Sequence, residues 1–173
     1  MQSDKDEWAR MLRVNHAGEY GATRIYAGQM AVLGRLPSLE KMADEESQHL
    51  RLFTDLMIQN NVRPTVLQPL WSVLGFGLGV VTAALGERAA HACTIAVEDV
   101  IEDHYQRQLN QLLPSTSTLA ETLRKTIVHC QLEEIAHKAE AVKLGGEDTP
   151  LFPVLSGVIK TSARIAIWLS ERI

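Results

Sequence analysis

Apolar side chains recur every three or four residues along most of this chain, which is the period of an α-helix. The first stripe runs through Trp8, Leu12, Asn15, Glu19, Ala22, Tyr26, Met30 and Leu33. After a break at Gly34 to Pro37, with Ser38 as the expected cap, a second runs Leu39, Met42, Glu46, His49, Phe53 and Leu56. A third joins His91, Ile95, Glu98, Ile101, Tyr105, Leu109 and Leu112, and Pro114 is expected to stop it. Thr118 and Glu121 have capping-box spacing and open a fourth stripe of Leu119, Leu123, Ile127, Cys130, Glu134, His137, Ala141 and Leu144, which Gly145 ends. Thr149 and Pro150 read as the cap and first position of a last helix reaching Ile173. Nothing alternates apolar and polar residues between hairpin turns, so the pattern predicts an all-α bundle in a single domain spanning residues 1–173.

Each of the four stripes carries a glutamate where a bundle core would take Leu or Ala: Glu19, Glu46, Glu98 and Glu134. An ionised carboxylate in a core costs several kcal/mol unless paired or bound to a cation, and no Lys or Arg repeats on these stripes. Two of the four open a Glu-x-x-His motif, Glu46 to His49 and Glu134 to His137, in which both side chains look the same way and one metal can take both. One such motif arises about 0.5 times by chance from 14 Glu and 6 His in 173 residues. The weight therefore lies in two of them on separate helices, each paired with a lone core glutamate. Four carboxylates and two imidazoles are the ligand set of a carboxylate-bridged di-iron or di-manganese site in a ferritin-like four-helix bundle.

The order Glu, Glu-x-x-His, Glu, Glu-x-x-His is a two-fold repetition of a helix pair. Tyr26 follows Glu19 by seven residues and Tyr105 follows Glu98 by seven, so each phenol is expected along its own glutamate's face. There it could donate to a ligand or carry a proton or electron, although tyrosines on apolar stripes are ordinarily core residues. His104 lies about 120° off the Glu98 face and suits an outer role. His16, His91 and His129 have no partner at metal spacing. Glu45, Glu133 and Glu102 neighbour the chosen acids, but Gln48 and Ala136 stand at the third position after the first two.

Composition narrows the setting. The chain is 46% hydrophobic with a net charge of -4 and no long block of like charge, so nucleic acid is a poor partner. Cys93 and Cys130 form no CxxC pair, which excludes a disulfide framework and thioredoxin chemistry. From Pro64 to Gly86 there are 23 residues without a formal charge, a length that could span a bilayer. The prolines and glycines within it favour instead an added apolar segment lying in the membrane interface over the mouth of the bundle, with Trp71 and Phe76 toward lipid. The last helix adds Leu151 to Ile159, with Lys160 and Arg164 placed to meet head groups. Glycines 75, 77 and 79 would suit either a flat ligand or helix packing.

The run Val14-Asn15-His16-Ala17-Gly18-Glu19-Tyr20-Gly21-Ala22, followed by Ile25-Tyr26-Ala27-Gly28-Gln29, closely resembles the first helix of the demethoxyubiquinone hydroxylases. Val62 to Leu67 with Pro69-Leu70-Trp71, Ala92-Cys93-Thr94 with Ala96-Val97-Glu98, and Arg164 to Arg172 agree with the same family. The resemblance implies that Glu19, Glu46, His49, Glu98, Glu134 and His137 ligate two iron ions, and it marks His104 and Tyr105 as residues close to the metals. It implies a monooxygenase that inserts one atom of O2 into the ring of a polyprenylated methoxy-methyl-benzoquinone or quinol, with NADH as electron source. With no Gly-x-Gly-x-x-Gly after a strand, reduction would come through a surface encounter, a partner or the quinone itself. Membrane lipid, a lipid-binding accessory protein and a homo-oligomer are the partners the resemblance allows. The expected location is peripheral, on the cytoplasmic face of a bacterial inner membrane, with the matrix face of the mitochondrial inner membrane as the alternative. Competing readings are a rubrerythrin-like peroxidase, opposed by the two isolated cysteines, and ferritin-type iron storage, opposed by the apolar segment.

Overall fold

The computed structural model describes residues 2–113 and 115–173, with side chains from residue 5 onward. Six helices follow one another: α1 (Gln2–Leu33), α2 (Pro37–Gln59), α3 (Gln68–Ala84), α4 (Glu87–Leu112), α5 (Thr118–Lys143) and α6 (Phe152–Ser170). A single 3-10 turn, Gly146–Asp148, lies between α5 and α6, and there is no strand among the described residues. The fold is an all-α, ferritin-like bundle. Helices α1, α2, α4 and α5 form its four long walls; α1 packs on α2, α4 on α5, and contacts of α1 with α4 and α2 with α5 close the ring.

Two apolar layers fill the bundle. One joins Leu12, Phe53, Leu123 and Ile127 with Tyr105 and Cys130, and the other joins Tyr26, Leu39 and Met42. Each fully buried side chain of this size contributes about 1.5 to 3 kcal/mol relative to exposure. The four stripe glutamates lie between the layers, so apolar side chains close the polar middle of the bundle at both ends.

The uncharged segment carries helix α3, packed against α1 at very short range. A side-chain carbon on Gly79 would collide with the Ile25 carbonyl oxygen, and one on Gly28 would collide with the Phe76 carbonyl oxygen. Gly75 meets the Gly21 carbonyl in the same way, whereas Gly77 faces open space, so helix packing explains two of the three glycines. Trp71 turns inward, donating from Nε1 to Ser170 Oγ on α6 at 3.0 Å, and is not the expected lipid contact. Phe76 stays at the surface under Arg24, whose guanidinium stands 5.4 Å from the ring centroid. Lys160 is likewise committed elsewhere: with Lys138 it pairs with Asp99, tying α6 and α5 to α4.

The helix boundaries differ from the expected ones by a few residues. α2 opens on Pro37 without a side-chain cap, because proline at the first turn supplies the backbone angle that Ser38 was expected to secure. α5 is capped by Ser117, whose Oγ accepts from Ala120 N at 3.1 Å, while Glu121 pairs with Arg124 and Lys125. α6 begins at Phe152 after Leu151 in a left-handed conformation (φ 58°), not at Thr149 and Pro150. Gly145 ends α5 as expected, with φ 80°. Pro114 lies outside the described residues; α4 ends at Leu112.

Candidate metal centre

Glu19 on α1, Glu46 and His49 on α2, Glu98 on α4, and Glu134 and His137 on α5 meet at mid-height, none more than 3% exposed. They form two overlapping groups. Glu19, Glu46, His49 and Glu134 present ligand atoms all within 4.8 Å of one another, and Glu46, Glu98, Glu134 and His137 do the same. Glu46 and Glu134 belong to both groups, so they stand where bridging carboxylates would. His49 Nδ1 lies 3.0 Å from Glu134 Oε1 and 3.5 Å from Glu19 Oε2; His137 Nδ1 lies 3.1 Å from Glu134 Oε2 and 3.3 Å from Glu46 Oε1.

The outer nitrogens of the two imidazoles are also held. His49 Nε2 is 2.6 Å from Glu133 Oε2, and His137 Nε2 is 2.9 Å from Glu45 Oε2. Each acid lies on the helix opposite its imidazole, beside that helix's own core glutamate. A carboxylate on the outer nitrogen turns the inner one toward the centre and raises its basicity, the usual support for a metal-bound histidine. Sequence spacing set Glu45 and Glu133 aside as ligands and missed this outer role. The signal was available in the repeated Glu-Glu-x-x-His pattern.

The electrostatics call for a cation. Burial, then the neighbouring Glu134 charge, pushes Glu46 well above the usual carboxylate range, and burial with Glu134 and Glu46 does the same to Glu98. Burial opposes ionisation of Glu134 too, but the adjacent imidazoles of His137 and His49 hold it down to about 2. Burial would lower both imidazoles; the acids around them outweigh it, raising His49 to about 12 and His137 to about 11. Both oxygens of Glu46 and Nδ1 of His49 are buried without a hydrogen-bond partner. Buried polar atoms are rarely left so, and two divalent ions would satisfy them while balancing four carboxylate charges. The donor set of hard oxygens and imidazoles fits iron or manganese.

Neither tyrosine bonds the glutamate of its own helix. Tyr105 O–H donates to Glu19 Oε1, on the opposite helix pair, and not to Glu98 on its own helix. Tyr26 O–H donates to Met42 Sδ at 3.6 Å. Seven residues of helix advance about 10 Å, too far for a phenol to reach its own glutamate, whereas a neighbouring helix brings the other one alongside. His104 makes no hydrogen bond to any of the six; its Nε2 lies 3.2 Å from Asn15 Oδ1 and 2.8 Å from Gln108 Nε2, while Asn15 and Gln108 exchange two further bonds. Burial, with Arg107 nearby, holds His104 down to about 4, so it is a neutral ring at pH 7. His16 and His91 are buried apart from the cluster, and His129 is exposed, with its ring edge-on to His49.

A cavity of about 300 Å³ lies between α1, α3, α4 and α6. Its wall includes Gly18, Gly21, Val97 and Ile101, so it adjoins Glu19 and Glu98 along their helices, and Leu74, Leu78, Ile159 and Ile167 complete an apolar lining. A second cavity of about 250 Å³ is polar, lined by Arg10, His104, Arg107, Gln108, Gln111 and Glu171 among others.

Fold and site together define a ferritin-like bundle whose buried carboxylate–imidazole cluster can hold a metal centre. The family model described as ubiquinone biosynthesis protein COQ7 matches residues 6–170, and the chain belongs to this family. Over 167 residues it is 48% identical to a human protein named NADPH-dependent 3-demethoxyubiquinone 3-hydroxylase, mitochondrial, covering 95% of this chain and 77% of the relative. Over 172 residues it is 46% identical to the 3-demethoxyubiquinol 3-hydroxylase of Rhodospirillum rubrum, with the same coverage. The 5-demethoxyubiquinone hydroxylase, mitochondrial, of Saccharomyces cerevisiae is 37% identical over 180 residues, again covering 95% and 77%.

Proposed function

We propose that this protein hydroxylates the ring of a polyprenylated methoxy-methyl-benzoquinone or quinol. Two iron ions would be held by Glu19, Glu46, His49, Glu98, Glu134 and His137, with O2 as the source of the inserted oxygen and a nicotinamide nucleotide as the reductant. The observation that carries this reading is the apolar cavity lined by Gly18 and Val97, the residues next in sequence to Glu19 and Glu98 of the carboxylate cluster. Iron storage needs no such chamber, and a flat ring with an isoprenoid tail fits its lining. The relatives named NADPH-dependent widen the expected donor from NADH to nicotinamide nucleotides in general.

Bound iron would supply activation of O2. The chain's own residues do the rest. Gly18 and Gly21 leave room for a ring beside Glu19, since a side-chain carbon on Gly21 would meet nothing within 4 Å. Val97 and Ile101 hold that ring against the Glu98 side, and the apolar lining keeps water away from it. Tyr105 places a proton on the line to Glu19, and Glu45 and Glu133 keep both imidazoles aimed inward. The guanidinium groups of Arg10 and Arg107 at the mouth of the polar cavity suit the phosphates of a dinucleotide, one residue from Tyr105 by way of His104.

An insoluble tail calls for a membrane surface. The outer faces of α3 and α6 carry exposed Val73, Val81, Val154, Val158 and Trp168, and α6 is long and apolar enough by composition to cross a bilayer. Both helices also wall the cavity, so a tail leaving it runs out between lipid-facing surfaces. The protein accordingly sits peripherally, on the matrix face in a mitochondrion or the cytoplasmic face in a bacterium. The test is to supply the iron-loaded protein in liposomes with demethoxyubiquinol, a reductant and isotopically heavy O2. One heavy oxygen atom in the ring of the product is expected; iron-dependent O2 consumption with an unlabelled, unhydroxylated ring would overturn the reading.

A further inference from the structure

Cys130 stands one helical turn before Glu134 on α5. Its sulfur, an oxygen of Glu19 and a ring nitrogen of His49 all lie within 4.8 Å of one another, and all three side chains are buried. Metal–sulfur bonds of about 2.3 Å and metal–nitrogen bonds of about 2.0 to 2.1 Å let one ion span such a triplet. Independently, Nδ1 of His49 is fully buried near Glu19 and makes no hydrogen bond. The arrangement is one-sided. On the opposite helix pair the equivalent position, four residues before Glu46, is Met42, whose thioether already accepts from Tyr26.

We propose that Cys130 is a ligand of the Glu19–His49 position whenever a thiophilic divalent ion such as zinc or cobalt enters it. The ion takes the sulfur as thiolate beside Glu19 and His49, and the thiol proton passes to solvent. This rests on the reading of the cluster as a metal centre. Soft thiolate donors favour zinc over harder ions, so the two metal positions differ in selectivity: the Glu98–His137 end offers only oxygen and nitrogen. The Glu19–His49 end is then where a wrong metal lodges first and bars iron.

Metal-free full-length protein titrated anaerobically with Co²⁺ decides the matter. A near-ultraviolet sulfur-to-cobalt charge-transfer band is expected to grow with the first equivalent in the wild type and in Met42→Leu. It should be absent from Cys130→Ser and from Cys130→Ala, the second guarding against a serine oxygen replacing the sulfur. Competition by Zn²⁺ should show a first-site affinity lower by at least the roughly 10-fold that losing an outer-shell partner costs. The wild-type spectrum is informative without any variant. Cobalt bound by the wild type with no sulfur band would overturn the role of Cys130 and leave the metal centre standing. Failure of the folded wild type to bind cobalt at all would overturn both.

Discussion

The helix pairs α1–α2 and α4–α5 deliver the same four functional residues in the same order, yet the two ends of the centre they build are unlike. At the Glu19–His49 end a phenol donates directly to the carboxylate, and a thiol lies within ligating distance. At the Glu98–His137 end the corresponding phenol of Tyr26 is spent on the Met42 thioether, and burial with neighbouring charge pushes the Glu98 carboxyl well above the usual carboxylate range. The outer supports, by contrast, keep the symmetry, with Glu133 on His49 and Glu45 on His137. The repeat thus accounts for the donor set that could hold metals. The departures from it indicate where protons, and the wrong metals, are handled.

The sharpest break in that comparison separates shared from unshared ligands. Glu134→Ala removes a residue common to both groups and is expected to lose both iron ions and all hydroxylation. Glu98→Ala should retain one ion at the Glu19–His49 end, and iron analysis of the two purified variants distinguishes these outcomes. Next in size, Gly21→Leu should fill the apolar cavity while leaving iron content unchanged, lowering turnover by about 100-fold, the scale of a small misplacement of reactants. Unaltered turnover there would move the substrate elsewhere.

The tyrosines test the asymmetry itself. Tyr105→Phe should slow reduction of the irons by about tenfold, equivalent to about 1.4 kcal/mol of barrier, with little change in iron content. Tyr26→Phe, losing only a weak bond to sulfur, should leave the rate within about twofold. Equal effects, followed by stopped-flow absorbance, would contradict the distinction between the ends.

The smallest effect is on stability. In metal-free protein the raised Glu46 and Glu98 carboxyls and the raised imidazoles all favour the folded state when protonated. Their contributions are complete below the unfolded values of 4.5 and 6.5. As pH rises those of Glu46 and Glu98 fade, and those of His49 and His137 are lost toward about 12 and about 11. Glu134 acts oppositely, losing its contribution as pH falls from 4.5 toward about 2. Melting temperature should therefore decline from mildly acidic toward alkaline pH without metal and flatten once iron is bound; a rise toward alkaline pH in the metal-free protein would contradict these protonation states.

Much of this centre was legible in the sequence because its residues break a strong local rule. A glutamate on an apolar helical stripe is costly, and four of them, two with His three residues on, leave few physical explanations. What local pattern could not show is what reaches across helices. Glu45 and Glu133 look like surface residues until the bundle closes and sets each on an imidazole 92 or 84 residues away. The crossing of Tyr105 to Glu19 is equally non-local, and so are the bonds joining Asn15 to Gln108. Trp71 was misplaced for a related reason: an uncharged stretch gives no sign of which side faces protein, and the α1–α3 glycine contacts and Ser170 settle that only in three dimensions. Helix ends shifted because proline, serine and a left-handed leucine competed for neighbouring positions.

Two iron ions at this cluster are proposed to support hydroxylation of a ring held in the cavity between α1, α3, α4 and α6. The direct measurement is to titrate metal-free protein with Fe²⁺ and quantify hydroxylated product per chain under heavy O2. Product should rise with added iron, reach its limit at two ions per chain and carry one heavy oxygen. Full product formation with no iron bound, or iron saturating the site without ring hydroxylation, would contradict the account.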